Sequence, residues 1–135
     1  MSAARAEQPD PQPAIRLSIP AELRYLRLAR VTAAAIAADL DFSVQDIDDV
    51  RVAVDELSAL LIEDAAPGSE LEICFTLDEH RISGEGRMTG GSTSEPKLHP
   101  VAAELLALVI DHYDVSVGKT GRMFRFSKRP EGGQE

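Results

Sequence analysis

The segment from Ser43 to Ala65 constrains the fold more than any other part of the chain, because it has the pattern of one long amphipathic helix. Ser43 can cap this helix, and Phe42 and Ile47 have the spacing of a hydrophobic staple around the cap. Pro67, followed by glycine, marks its end. Apolar residues that step by three and four positions share one face: Ile47, Val50, Val54, Leu57 and Leu61. We expect this face to pack on a sheet.

The rest of the chain predicts short strands around two further helices. Alternating apolar residues indicate strands, and turn residues separate them. The predicted elements are, in order, a strand at Ile15–Ile19, a helix at about Ala21–Leu40, the helix above, strands at Glu70–Leu77 and Arg81–Met88, a helix from Pro100 to about Asp111, and strands at Tyr113–Val117 and Arg122–Ser127. The order β-α-α-β-β-α-β-β predicts an α+β fold, with the helices layered on one face of a mostly antiparallel sheet.

The length and composition indicate a single domain. The chain has 135 residues, of which 44% are hydrophobic, and this is the usual size of one domain with its own core. Residues 1–13 and 129–135 are rich in proline, glycine and polar residues, so both segments are predicted to be disordered tails. The domain itself is predicted to span residues 14–128.

The charge and the sequence ends exclude several classes of function. A formal net charge of −9 repels phosphate backbones and anionic membranes, and 4% aromatic residues leave few platforms for stacked bases. No apolar run approaches the ~18 residues that span a bilayer, and residues 1–13 lack the features of a signal peptide. The three histidines and Cys74 have no spacing typical of a metal cluster, so no metal site is expected. We expect a cytoplasmic protein that binds a protein or a small ligand, with no nucleic acid and no membrane.

The segment 52–62 resembles the N-box helix of the histidine-kinase-like (GHKL) ATPases, in the version carried by anti-sigma factor serine kinases. The family pattern is an apolar run, Glu, three residues, Asn, three residues and His-Ala. Glu56 matches the Glu, Leu60 stands at the Asn position, and Asp64 with Ala65 stands at His-Ala. In the family the Glu is the general base and the Asn holds magnesium. The resemblance therefore implies the family's fold, a Bergerat-type sandwich, and a catalytic role for Glu56 only if the chain is active.

The other two nucleotide boxes of the family are incomplete. An Asp-x-Gly-x-Gly box should follow the strand at Arg81–Met88, but the chain offers only two separate glycine pairs, which more often indicate flexible turns. Residues 98–101, Leu-His-Pro-Val, replace the third, glycine-rich box. The family-equivalent pocket positions are Glu56, Leu60, Asp64, Gly84, Gly86, Gly90 and Gly91. Since Mg²⁺ needs oxygen ligands and Leu60 supplies none, phosphoryl transfer is weakened. No cofactor is expected; ATP and Mg²⁺ would be the cofactors if the site still functioned.

Three arginines, Arg24, Arg27 and Arg30, recur at every third position of the first predicted helix. They form either a solvated helix face or a docking surface for an acidic partner, since Arg is enriched at interface hot spots. In the anti-sigma family this helix lies in the region that contacts the sigma factor and its antagonist. The resemblance therefore predicts partner-binding roles for these three residues.

Three functions remain open at this point. The leading one is a regulatory protein of the anti-sigma type, which binds a sigma factor or an anti-anti-sigma (STAS-type) protein and is not an enzyme. The alternative is an active ATP-dependent serine-protein kinase that phosphorylates the anti-anti-sigma factor. The third is a pseudo-enzyme scaffold with a partner unrelated to transcription. Family members with the first role commonly dimerise, so a homodimer is one arrangement that the resemblance allows.

Overall fold

The computed structural model describes residues 14–78 and 80–131. The predicted tail at residues 1–13 and the last four residues of the predicted tail at 129–135 lie outside the described residues. The elements follow the predicted order, which confirms the α+β fold. They are β1 (Ala14–Pro20), a 3-10 turn (Leu23–Tyr25), α1 (Leu26–Ala38), α2 (Val44–Ile62), β2 (Glu70–Asp78), β3 (Arg81–Thr89), α3 (Pro100–Val109), β4 (His112–Gly118) and β5 (Gly121–Lys128).

The five strands form one sheet in the order β1-β2-β3-β5-β4, and every neighbouring pair is antiparallel. In β2 the side chains of Leu71, Ile73 and Phe75 are fully buried, whereas Glu72 and Cys74 between them are only partly buried. This alternation means that one face of the sheet is covered. The cover is α2, which contacts β2, β3 and β5, while α1 and α3 both pack against α2.

The predicted apolar face of α2 forms the centre of the core. Val50, Val54, Leu57 and Leu61 are completely buried, which confirms the assignment of this face, and Ile47 is partly buried at its start. The helix begins as predicted. Ser43 Oγ accepts a hydrogen bond from the Asp46 amide (3.0 Å), and the Asp46 carboxylate accepts one from the Ser43 amide (3.3 Å), which together make a capping box.

The first helix is shorter than the predicted range of Ala21–Leu40. The Ala21 amide donates to the carbonyl oxygen of Ser69 (3.0 Å), so this residue is tied to the chain before β2 and not to a helix. The Tyr25 amide then donates to Glu22 three residues earlier, in the pattern of a 3-10 turn. Periodicity cannot detect the bond from Ala21, because it depends on where the chain before β2 lies.

The first three residues of the predicted C-terminal tail are held by backbone hydrogen bonds. The Arg129 amide donates to Asp111 Oδ2 (2.8 Å), and the Glu131 amide donates to Asp46 Oδ2 (3.2 Å) at the start of α2. Residues 129–131 therefore lie against the domain, beside the end of β5.

Candidate functional site

The residues that match the family's N-box lie along the second half of α2. Glu56 is half-buried, and its carboxylate forms no hydrogen bond or ion pair with any other described residue. Leu60, one turn further along, is buried with 8% of its surface exposed, although it lies outside the main hydrophobic cluster. Asp64 follows the helix and is exposed, with a positive φ of 59°. The helix thus ends at Leu60–Ile62, with an apolar side chain where the family has its metal ligand.

A buried arginine from β5 occupies the space beside this helix end. Arg122 is 3% exposed, and its Nη1 donates to the carbonyl oxygen of Leu60 (2.8 Å) and to Glu63 Oε1 (3.0 Å). Its Nε and Nη2 donate to the carbonyl oxygen and to Oγ of Ser94, at 3.2 and 3.1 Å. A cation is favourable here because the C-terminal end of a helix carries partial negative charge. Arg122 therefore joins α2, β5 and the loop before α3.

The second glycine pair lies at the same end of the sheet. The carbonyl oxygen of Gly90, whose φ is 82°, accepts hydrogen bonds from the Ala66 amide (3.2 Å) and from Ser69 Oγ (2.7 Å). The Gly91 amide donates to the carbonyl oxygen of Thr120 (2.9 Å). The structure thus brings Gly90 and Gly91 to the same end of the fold as the C-terminal end of α2. These glycines pack against protein atoms: a Cβ on Gly91 would lie 2.7 Å from Met88 Cβ.

The first glycine pair makes room for aromatic rings. Gly84 and Gly86 are buried in β3, and a Cβ on either would overlap the ring of its cross-strand partner, Phe126 or Phe124. Glu85 between them points to the opposite, uncovered face of the sheet, and there Oε2 pairs with Nε of Arg125 at 3.2 Å. Glu85 therefore lies on the other side of the sheet from α2.

A second buried cation lies at the opposite end of β5. Lys128 is completely buried, with Nζ 3.7 Å from Asp46 Oδ1 and 3.8 Å from Asp49 Oδ2, both in the first two turns of α2. Asp46 and Asp49 are themselves 2% and 7% exposed. A cation at a helix N-terminus opposes the helix dipole, and the two carboxylates compensate for it.

The two cations hold α2 at both ends. Leu60 lies fourteen residues after Asp46, a rise of about 21 Å in a helix. Lys128 lies six residues after Arg122, a distance of about 20 Å along a strand. Because the two lengths agree, Arg122 can reach the carbonyl group at the end of α2 while Lys128 reaches the carboxylates at its start.

The predicted arginine stripe divides into two groups. Arg24 lies in the 3-10 turn, where Nε pairs with Glu22 (3.1 Å) and the guanidinium lies over the Tyr25 ring, 4.8 Å from its centre. Arg30 pairs with Asp55 of α2 through Nη1 and Oδ1 (2.6 Å) and is 37% exposed. Arg27 and Arg30 line a groove between α1 and α2, and Arg24 does not.

That groove, of about 560 Å³, runs between α1 and α2. Its floor is apolar and its rim is basic. The lining residues are Arg27, Arg30, Val31, Ala34, Ala35, Ile47 and Arg51. Arg51 joins the group from α2, where it also makes a long ion pair with Asp48 (3.4 Å). We call these residues the α1–α2 groove.

The sequence analysis did not identify Arg122, Lys128 or Arg51. A signal for the first two exists in β5: strand residues alternate between faces, so the apolar Phe124 and Phe126 place Arg122 and Lys128 on the covered face as well. Charged residues are rarely buried unless paired, and the pairing partners lie in another element. No comparable signal exists for Arg51, because its approach to α1 depends on how two helices pack.

The part of the chain that the structure describes has neither a membrane-spanning helix nor a cluster of metal-binding side chains. Residues 14–78 and 80–131 contain no helix that is long and apolar enough to cross a membrane. They also contain no group of three or more His, Cys, Asp or Glu side chains placed to hold a metal ion.

Comparison with known proteins finds the same resemblance. No protein-family model matches the chain. Over 70 residues, half of this chain and 44% of the relative, it is 31% identical to the serine-protein kinase RsbW of Bacillus thuringiensis, and it matches RsbW of Bacillus cereus and of Bacillus anthracis equally well. The chain thus spans less than half the length of these curated relatives.

A solved structure shows the same fold over most of the chain. The crystal structure of the RsbU and RsbW domains of Rv1364c from Mycobacterium tuberculosis matches with a TM-score of 0.68 and 14% sequence identity. The match covers 88% of this chain and 33% of that one. The chain is therefore RsbW-like in the sequence of half its length and in its fold, which confirms the predicted resemblance to the anti-sigma factor branch of the histidine-kinase-like ATPases.

Proposed function

We propose that the chain is an anti-sigma-factor-like regulatory protein that binds a sigma factor or a STAS-type anti-anti-sigma protein without transferring phosphate. The similarity to RsbW supports this class of function. The observation that carries the non-catalytic part is Leu60, an apolar residue at the metal-ligand position, whose carbonyl oxygen accepts a hydrogen bond from a buried guanidinium. A homodimer belongs to the same proposal, and sedimentation of the purified chain tests it.

The groups around Leu60 do not fit Mg²⁺. This ion needs several oxygen ligands in octahedral geometry, and the nearby carbonyl oxygen of Leu60 and the carboxylate of Glu63 already accept hydrogen bonds from Arg122. A guanidinium at this position would also repel a second cation. We therefore propose that neither Mg²⁺ nor ATP is a cofactor of this chain.

Calorimetric titration of ATP, with and without Mg²⁺, tests this part. We expect no saturable heat of binding at ATP concentrations that would saturate the site of a functional kinase. A low-micromolar affinity for magnesium-ATP, about −8 kcal/mol, would contradict the proposal.

The alternative function, an ATP-dependent serine-protein kinase, has two observations in its favour. The relatives in Bacillus carry the name serine-protein kinase, and Glu56 is retained and half-buried at the position of the general base. Incubation of the purified chain with labelled ATP and a STAS-type protein from the same organism tests it, with Glu56→Gln as the control. Transfer to a serine that Glu56→Gln abolishes would establish the kinase and reject our proposal.

We place the partner-binding surface on α1 and the groove beside it. The chain has a net charge of −9, yet three arginines surround an apolar floor here. An acidic, partly apolar segment of the partner would fit such a surface, because the carboxylates pair with guanidinium groups while apolar side chains cover the floor. The stripe predicted from the sequence includes Arg24; the groove includes Arg51 in its place.

Binding measurements with a purified sigma factor and a purified STAS-type protein of the source organism separate these two surfaces. We expect Arg27→Glu and Arg51→Glu to weaken binding by roughly tenfold to thirtyfold each, as for desolvated interface arginines. Arg24→Glu should change it less than threefold if the groove is the site. Binding of neither protein by the wild-type chain would reject the proposed partners. A loss with Arg24→Glu and Arg27→Glu but not with Arg51→Glu would support the stripe.

A further inference from the structure

The ten residues from Gly90 to His99 connect β3 to α3 without forming a helix or strand. A hydrogen bond from the Gly91 amide to Thr120 anchors the start of this segment, which we call the connecting loop. Beyond Gly91, the tertiary hydrogen bonds that the loop makes to other described residues all come from one side chain, Arg122, and both go to Ser94. In the middle of the loop, the tertiary hydrogen bonds therefore come from a single guanidinium.

That guanidinium bonds to two separate parts of the chain at once. One edge donates to the end of α2, through the carbonyl oxygen of Leu60 and the carboxylate of Glu63. The other edge donates to the carbonyl oxygen and the hydroxyl oxygen of Ser94. The planar guanidinium is suited to this arrangement because its donors project in fixed directions, whereas a lysine ammonium has three donors on a flexible stem. Glu63, at 57% side-chain exposure, balances the charge.

We propose that Arg122 is an internal clasp that holds the connecting loop against the C-terminal end of α2. The loop leads directly into α3, whose outer face exposes Val101 and Leu108 at 65% and 75% of their surfaces. With the clasp closed, α3 keeps one orientation relative to α2, so its apolar outer face is presented in a fixed position. This inference concerns the isolated chain and stands whether or not the proposed function is correct.

Limited digestion of the purified chain with trypsin tests the clasp with Arg122→Met and with Arg125→Met as the matched control. Arg125 lies on the same strand but on its exposed face. Hydrogen bonds to a charged group are strong, so losing both bonds to Ser94 should make opening of the loop at least tenfold more frequent. In Arg122→Met we expect cleavage after Lys97 to be at least tenfold faster, and cleavage after Arg81 and Arg87 in β3 to change less than threefold. The control should leave the loop at the wild-type rate.

A second variant, Arg122→Lys, keeps a buried cation but cannot span both edges of the site. It should release the loop as Arg122→Met does while keeping more of the stability, and lower NMR order parameters at residues 93–95 give an independent measurement. This variant decides the matter if Arg122→Met does not fold. Cleavage after Lys97 at the wild-type rate in a folded variant would overturn the proposal. Equal acceleration of loop and sheet would also overturn it, since Arg122 would then support the whole fold and not the loop.

Discussion

Replacing Lys128 by Met should destabilise the domain more than any surface substitution. Lys128 is completely buried, its Nζ lies 3.7 and 3.8 Å from the carboxylates of Asp46 and Asp49, and it has no hydrogen-bond partner among the described residues. Methionine fills a similar volume, so the main effect is that two nearly buried carboxylates lose their cation. Removing one partner of a buried ion pair costs about 3–5 kcal/mol. For a domain of this size, that corresponds to a fall in Tm of roughly 10–20 °C.

Thermal and urea unfolding at neutral pH, followed by circular dichroism, measure this effect. Lys119→Met, in the exposed turn between β4 and β5, is the matched control and should change Tm by less than about 2 °C. Combining Lys128→Met with Asp46→Asn and Asp49→Asn should recover part of the loss, because no unpaired charge then stays buried. A Tm of Lys128→Met within 2 °C of the wild type would refute the reasoning.

Three further substitutions test the fold and the site. Val54→Asp places an unpaired charge in the centre of the core and should cost several kcal/mol, so a soluble variant with unchanged melting would show that this face of α2 is wrongly assigned. Gly84→Ala should cost about 1–3 kcal/mol in urea unfolding because its Cβ overlaps the ring of Phe126, and Phe126→Leu in the same chain should recover part of it. Leu60→Asn should not create ATP binding in calorimetry, since Arg122 still occupies the adjoining space; a micromolar affinity would argue against that explanation.

The start and the buried face of α2 could be predicted from the sequence because they depend on local chemistry. The hydroxyl group of Ser43 and its distance to the first helical amides determine the cap. The spacing of Val50, Val54 and Leu57 determines the face, since residues three and four apart lie on one side of a helix. Neither feature requires knowledge of the neighbouring elements.

The environment of the glycines could not be predicted, because it depends on strand register. The sequence around Gly84 and Gly86 is compatible with a flexible turn or with part of a nucleotide box. In the structure, Gly84 pairs with Phe126 and Gly86 pairs with Phe124. Because the glycines have no side chain, the two rings fit against β3. Pairing between strands that are some forty residues apart in sequence leaves no local trace.

The arginine stripe shows a related limit. Residues at every third position of a helix drift by about 60° per step around its axis, so three of them spread over an arc of about 120°. Arg24 also lies outside α1, in the 3-10 turn that precedes it. The arrangement of Arg27 and Arg51 around one groove depends on the packing of α1 against α2, which a single helix pattern does not contain.

The agreement in length between α2 and β5 limits how this chain can change. One residue inserted between Asp46 and Leu60 would lengthen the helix by about 1.5 Å and rotate its second half by about 100°. Lys128 and Arg122 could then no longer both reach their partners, and Glu56 would turn away from its present side. Insertions and deletions within α2 should therefore be far more damaging than substitutions on its exposed positions, whereas the turn around Asp41 and the turn after Asp64 can take up a change in length.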